Sequence, residues 1–345
     1  MRSDLKIGIH QRAGSFSDRW IAYCSEQGIP FKLVNCHESD IVAQLADCDA
    51  LMWHHFHESA RDIQLAKQLL FALEASGKVV FPDFPSGWHF DDKVGQKYLF
   101  ETVHAPLVPA HVFYSREEAL AWAGTTTFPK VFKLRGGSAS HNVKLARTRK
   151  QARRFIYRAF GRGFSQYKAL DSIKERWRLY RLGRTDLYDV CKGVARLVMP
   201  TPYARALHRE RGYVYFQDFI PGNTHDIRVT YIYDRLIAFR RQVRPGDFRA
   251  SGSYMLDPDQ TMVPLEALEI SLEVCRKLGF QTAALDFVLM DDKPMIVEVC
   301  YAWGVWEKLF TFGYWDGDLN YHDEAYDAHD WMVDGVIEQV QTRKK

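Results

Sequence analysis

Two carboxylates stand where apolar residues belong in the stretch ALDFVLMDDKPMIVEVC, Ala284 to Cys300. It reads as two short apolar strands around a turn at Asp291-Asp292-Lys293, the grammar of a β-hairpin. Asp286 interrupts the first strand between Leu285 and Phe287, and Glu298 interrupts the second between Val297 and Val299. A hairpin centred on Asp292 sets Leu289 against Met295, Val288 against Ile296, and Asp286 against Glu298. Directly paired residues hold their Cβ atoms roughly 4.5–5.5 Å apart, where like charges are destabilising. One acid could stay protonated, each could be neutralised by its own Arg or Lys, or both could hold a divalent cation. Hard cations such as Mg2+ take one or two carboxylates together with phosphate oxygens. The hairpin by itself leaves these three open.

Other residues with chemical potential lie at strand ends and helix starts. In DDKVGQKYLF, Asp91 or Asp92 can cap a helix whose first turn carries Lys93. A cation there opposes the helix dipole unless an anion lies nearby. FPKVFKLRGGSASHNVKL reads as strand, loop and strand, and the small residues of GGSAS can turn backbone amides onto phosphate oxygens. It is not a P-loop, because Lys133 precedes the glycines and no GK[ST] follows. His54, His55, His57 and Glu58 have spacing that fits no standard metal site, and a substrate-contacting loop is the favoured reading.

The elements that must position these groups alternate through the first hundred residues. LKIGI, PFKLVN, ALMWHH and KVVFP read as strands, separated by the helices DRWIAYCSEQG, ESDIVAQLAD and SARDIQLAKQLLFALEASG. Such alternation predicts a parallel sheet with helices on both faces and ligands at the strands' carboxyl ends. From Thr148 to about Arg211 the text is helical and basic. Strands resume with YVYFQDFI and HDIRVTYIYDRLIAFRRQV, the latter turning at Tyr233-Asp234-Arg235, and the helix PLEALEISLEVCRKLG precedes the hairpin. DAHDWMVDGVIEQVQ is a final helix, and the aromatic YAWGVWEKLFTFGYWDG before it reads as core or interface packing.

At 345 residues with 47% hydrophobic and 26% charged residues, the chain can build two or three globular cores. No apolar run reaches a membrane span, MRSDLKIGIH is not a secretory signal, and the six cysteines follow no zinc or disulfide spacing. A cytoplasmic protein with reduced thiols is the expectation. The net charge of +3 conceals an asymmetry. Between Lys144 and Arg211, nineteen Lys and Arg face five Asp and Glu, so this segment is strongly basic and the remainder acidic. Such a block is either a solvated helical surface or a docking face for an anionic substrate, an anionic membrane or nucleic acid, and charge alone does not choose.

The order of the pieces resembles the ATP-grasp superfamily over most of the chain. The resemblance is carried by DDK opening a helix, FPKVFKLRGGSAS, YVYFQDFIPG, HDIRV, FRRQVRPGDFRASGS and LDFVLMDDKPMIVEVC. The later stretch looks most like the carboxylate–amine ligases that attach amino acids, of the ribosomal-protein glutamate ligase type. The resemblance implies an α/β fold in three parts. Residues 1–108 would be an N-terminal Rossmann-like (pre-ATP-grasp) domain, and 109–212 a lid with a basic helical insertion over about 148–211. Residues 213–345 would be a C-terminal α+β subdomain with the metal-binding hairpin.

It further implies that Lys93 and Lys133 bind ATP phosphates, with Gly136, Gly137 and Ser138 covering them. Gln217, Asp218, Phe219 and Ile220 would flank adenine, and Asp226 would take the ribose, with His225 as a neighbouring candidate. Arg228, Arg241 and Arg249 would face the γ-phosphate or the substrate carboxylate, a task suited to a guanidinium fork. Asp286 and Glu298 would hold Mg2+, or Mn2+ in its place. The implied reaction is ATP-dependent ligation of an anionic carboxylate to an amine or thiol through an acylphosphate. A phosphotransferase of the same fold and a non-catalytic nucleotide-binding scaffold are the alternatives. Nucleic acid is not expected as a partner, whereas peripheral contact with an anionic membrane and a homodimer are compatible with it. One departure stands out: where the family has Glu-x-Asn, this chain has Glu298-Val299-Cys300, and a thiol suits Mg2+ poorly.

Overall fold

A computed structural model of the chain describes residues 5–137, 142–165, 173, 176–177, 180–181, 183, 185–195, 209–244, 247–250, 255–257, 259–304 and 312–345. Ser138, the rest of the GGSAS loop, parts of RPGDFRASGS and of the aromatic tail, and most of the helical reading between 166 and 208 lie outside the described residues. The chain divides into two compact units. One comprises Met1–Phe56, Arg61–Val108 and Ile220–Lys345, the other His57–Ala60 and Pro109–Phe219.

In the larger unit, β1 (Ile7–His10), β2 (Phe31–Val34), β3 (Ala50–Met52) and β4 (Val79–Phe81) form a parallel sheet in the order β2-β1-β3-β4. The intervening helices are α1 (Phe16–Glu26), α2 (Ile41–Gln44) and α3 (Ala60–Ala75). The short α4 (Phe84–Gly87) and then α5 (Lys93–Thr102) follow β4. Ser15 caps α1 by accepting from the Ser17 amide, and Asp92 caps α5 by accepting from the Gly95 amide.

In the smaller unit, β5 (Ala110–Phe113), α6 (Arg116–Thr125), β6 (Lys130–Lys133), β7 (Lys144–Ala146), α7 (Arg149–Phe160), α8 (Leu187–Ala195) and β8 (Val214–Asp218) follow in turn. Its sheet is antiparallel in the order β5-β8-β6-β7. Phe132, Phe164, Phe216, Ala152 and Ile156 form its core.

The larger unit resumes with β9 (His225–Ile232), β10 (Arg235–Gln242), β11 (Leu256–Asp257), α9 (Leu265–Leu278), β12 (Thr282–Met290), β13 (Lys293–Cys300), β14 (Tyr314–Trp315), β15 (Tyr321–His322) and α10 (Ala328–Arg343). These strands make a second sheet in the order β13-β12-β9-β10-β14-β15, with β11 beside β10. Alternation assigns its faces. Ile227, Val229, Leu285, Phe287 and Val299 pack with Leu268 and Leu272 of α9. On the opposite face, Ile232, Ile237 and Ala284 join Met332 and Val336 of α10 and Ile7 and Ile9 of β1 in another core. Among the described residues no helix is long and apolar enough to cross a membrane.

Two positions in these cores carry consequences. A Cβ on Gly335 of α10 would lie 2.3–2.4 Å from ring atoms of Tyr233, whose backbone N–H donates to Gln281 O at 3.0 Å. Helix propensity alone favours Ala over Gly by about 1 kcal/mol. We expect Gly335→Ala nevertheless to destabilise, by about 1–3 kcal/mol of overpacking, measured by urea unfolding. His89, 1% exposed between Trp88 and Phe280, has its pKa pushed down to about 3 by burial, with the Lys67 ammonium adding to the effect. The unfolded chain therefore binds a proton that the folded chain refuses between about pH 6.5 and 3. Stability is expected to fall as pH drops through that window, by up to about 1.4 kcal/mol per pH unit from this group. His89→Leu should flatten the slope in chemical denaturation across pH.

Candidate active site

The hairpin turn comprises two residues, Asp291 and Asp292, both at positive φ (52° and 63°), and not the three read from sequence. Two-residue turns with positive φ match the twist of the flanking strands. The first pairs are therefore Met290 with Lys293, Leu289 with Pro294, Val288 with Met295 and Phe287 with Ile296. The expected Leu289–Met295 and Val288–Ile296 pairs are each displaced by one residue. Carried on unchanged, this register would set Asp286 against Val297 and turn Glu298 to the other face of the sheet. A β-bulge between Asp286 and Phe287 shifts the register, leaves Val297 as the extra residue, and brings Asp286 opposite Glu298.

The row continues across the sheet. Asp286 pairs with Arg228 of β9 on its other side, and Asp226, two residues before Arg228, pairs with Arg241 of β10. Glu298, Asp286, Arg228, Asp226 and Arg241 thus project from one face. Arg228 grips Asp286 with both arms, Nε to Oδ1 at 2.7 Å and Nη2 to Oδ2 at 2.9 Å. Arg241 bridges two acids, donating from Nε to Asp226 Oδ1 at 2.7 Å and from Nη2 to Asp286 Oδ2 at 2.8 Å. Lys93 reaches Glu298 Oε1 at 2.9 Å from the first turn of α5. Lys93, Arg241 and Asp286 are at most 9% exposed, while the Glu298 side chain keeps 32% of its surface.

Where the sequence reading sets one cation between Asp286 and Glu298, the protein's own side chains supply positive charge at both. In this arrangement each acid has its own basic partners: both oxygens of Asp286 accept from guanidinium groups, and Glu298 Oε1 accepts from Lys93. The electrostatics follow. Burial raises the Asp286 pKa, but Arg228 and Arg241 more than reverse this and hold the carboxyl well below its usual range. Burial wins at Asp226, which is raised despite Arg241. Burial works against the charged form of Lys93, yet Glu298 and Asp91 keep its pKa above the ordinary lysine value. The Cys300 thiol is pushed up to about 12, chiefly by burial, and its Sγ donates to Ala302 O at 3.1 Å. It is a neutral, committed group at neutral pH, with little to offer a hard cation.

The remaining candidates sit elsewhere. Arg249 pairs with Asp247, Nε to Oδ2 at 2.9 Å. In the smaller unit Lys133 is 5% exposed at the end of β6, Gly136 and Gly137 follow it, and Gln217 is 2% exposed on β8. Asp218 accepts from Lys130 at 2.6 Å, and Phe219 ends that unit, whereas Ile220 opens the next segment of the larger one. The strand-end histidines are held by internal contacts. His54 Nδ1 accepts from Phe16 N at 3.2 Å, and the His55 carbonyl accepts from the Tyr301 hydroxyl at 2.8 Å. Among the described residues no group of three or more His, Cys, Asp and Glu could hold a metal. Sequence reading missed Gln96, one helical turn after Lys93, which donates to Val299 O at 2.9 Å and ties α5 to β13 beside Glu298. Its i, i+3 spacing from Lys93 was the available signal.

No protein-family model and no curated protein sequence matches the chain. Solved structures match along almost its whole length. A RimK-domain ATP-grasp protein from Sphaerobacter thermophilus aligns with a TM-score of 0.56 at 15% identity, covering 95% of this chain and 98% of that one. D-alanine–D-alanine ligase from Bacillus anthracis gives 0.56 at 14% identity, covering 99% of both chains. The ATP-grasp ligase PsnB, complexed with precursor peptide PsnA2 and AMPPNP, gives 0.54 at 10% identity, covering 97% of this chain and 98% of that one. At such identities the likeness is one of architecture, and by that architecture this mixed α/β chain has the ATP-grasp fold.

Proposed function

We propose that this protein is an ATP-dependent ligase that joins an anionic carboxylate to an amine (or thiol) through an acylphosphate, releasing ADP and phosphate. The reading keeps the three-part organisation: 1–108 as a Rossmann-like domain, 109–212 as a lid with its basic insertion, 213–345 as the C-terminal subdomain, in a cytoplasmic setting. It is supported by the fold and carried above all by one observation. Three cations and three carboxylates share one sheet face and the start of α5, largely buried, with Glu298 at the exposed edge.

In the proposed reaction a substrate carboxylate oxygen bonds to the γ-phosphorus and the bond to ADP breaks. The amine nitrogen then bonds to the acyl carbon, phosphate leaves, and the amine sheds its proton. The protein's share is positioning and charge neutralisation. We assign Lys93 and Lys133 to phosphate oxygens, with the amides of Gly136, Gly137 and Ser138. Arg228, Arg241 and Arg249 would meet the transferring phosphoryl group or the substrate carboxylate. Gln217, Asp218, Phe219 and Ile220 are assigned to the base, and Asp226 to the ribose.

Asp286 and Glu298 fit a Mg2+ or Mn2+ ion by position, two hard carboxylates directly opposed on one face. Their present partners supply positive charge at the same carboxylates, so an ion held by both acids would share Asp286 with Arg228 and Arg241, and Glu298 with Lys93, or take their place. Bound there, the ion would offset charge on phosphate oxygens. The engaged oxygens of Asp286 and the neutral Cys300 favour, as a second reading, a nucleotide-binding protein without turnover.

Metal-dependent ATP consumption with panels of carboxylates and amines decides between them. Free phosphate plus an amide supports the ligase, a stable phosphorylated product the phosphotransferase, and nucleotide binding without turnover the scaffold. Glu298→Gln is expected to lower turnover by at least about a hundredfold, with some loss of stability because the buried Lys93 ammonium loses its carboxylate at 2.9 Å. Asp286→Asn should in addition lower stability by about 3–5 kcal/mol, because it leaves two guanidinium groups underpaired. Cys300→Asn, which introduces a hard carbonyl oxygen, should tighten Mn2+ binding in the presence of ADP, read by electron paramagnetic resonance.

A further inference from the structure

We infer that the smaller unit carries a docking surface for an anionic lipid membrane, formed by the solvent face of α7 and by exposed aromatic residues at and before α8. The inference does not depend on the proposed reaction. Residues 144–162 contain eight Lys and Arg and no Asp or Glu. Ala152, Ile156 and Ala159 of α7 are buried in the unit's core, which turns the basic side chains outward. Arg149, Lys150, Arg153, Arg154 and Tyr157 line an open depression of about 630 Å³. The first four have no carboxylate partner among the described residues. By contrast, Arg19, Arg228, Arg240, Arg241 and Arg276 each hold an acid. Among the described residues this cationic helix face holds no acid, so an external anion meets it without breaking any ion pair they make.

Aromatic and aliphatic exposure separates a lipid surface from a nucleic acid. Trp177, Leu187 and Tyr188 are 49%, 52% and 66% exposed, and Tyr157 on α7 is 50% exposed. Trp and Tyr beside Arg and Lys are the residues of the membrane–water boundary, where rings sit at headgroup level and long cationic side chains reach phosphates. Stacking on bases needs free ring faces. Here the Trp177 and Tyr180 rings lie 5.7 Å apart, too close to admit a base between them. Lys192 lies 4.3 Å from the Tyr188 ring centroid, and Arg153 stands 5.9 Å from that of Tyr157. Leu187 offers nothing to a base and a buried aliphatic chain to a bilayer. The attraction is to the negative surface of anionic headgroups and weakens with salt.

The test is co-sedimentation of the full-length protein with phosphatidylcholine vesicles, with and without phosphatidylglycerol, beside fluorescence-anisotropy titration with single-stranded oligouridine. Binding only to the phosphatidylglycerol vesicles is expected. It should weaken by about tenfold or more in Arg153→Glu/Arg154→Glu and independently in Trp177→Ala/Tyr188→Ala. All four side chains lie at the surface, and circular dichroism with thermal unfolding checks that both variants remain folded. The inference is overturned if the protein stays in the supernatant with phosphatidylglycerol vesicles at low salt. It is equally overturned if folded variants sediment like wild type, or if oligouridine binds more tightly than the vesicles.

Discussion

The larger unit's second sheet is organised around the placing of like charges within reach of one another. Asp286 and Glu298 are directly opposed, and Asp226 lies on the same face. Burying one carboxylate unpaired is costly, and two adjacent ones more so. The solution is a lattice in which cations interleave: Lys93 at Glu298, Arg228 at Asp286, Arg241 between Asp286 and Asp226. Each contact comes from a different element, so the lattice fixes the mutual register of β9, β10, β12 and β13 and the seat of α5. A slip of one residue in any strand would carry its charges to the apolar face packed on α9.

The bulge in the hairpin follows from this constraint. The tight Asp291-Asp292 turn imposes a register that would send Glu298 to the wrong face, and one extra residue in β13 corrects it. Ladder hydrogen bonding is interrupted locally, and in exchange both acids reach the same cluster of cations. The bulge is thus a positioning device, as bulges near functional groups commonly are.

Much of this was legible in the sequence. The alternating first hundred residues come from local periodicity, and turn chemistry offers Asp91 or Asp92 as the cap of α5, of which Asp92 serves. The turn read at Tyr233-Asp234-Arg235 is one residue shorter, because Arg235 already belongs to β10. The opposition of Asp286 and Glu298 was also expected, but through a three-residue turn with an unbroken register; the true route is a two-residue turn plus a bulge. No local signal marks Val297 as the extra residue. Nor could spacing assign partners to the acids: Lys93 is about two hundred residues from Glu298 in the chain, and Arg228 about sixty from Asp286. The sequence alternative in which each acid has its own Arg or Lys describes the arrangement seen, and the shared-cation alternative describes what a nucleotide complex would need.

The two basic systems of this chain differ in kind, and burial is what separates them. Arg241 is almost fully enclosed, so its charge is tolerated only because two carboxylates share it, and removing either leaves a buried imbalance. Arg149, Lys150 and Arg154 are exposed to water and have no acid partner among the described residues. A buried network without spare charge responds to a ligand by exchanging partners, contact for contact, which confers specificity on what can enter. An exposed row of like charges acts at a distance set by ionic strength and responds to sign before shape. The same residue types are therefore held by carboxylates in one unit and by water in the other, and the net charge of +3 averages over both.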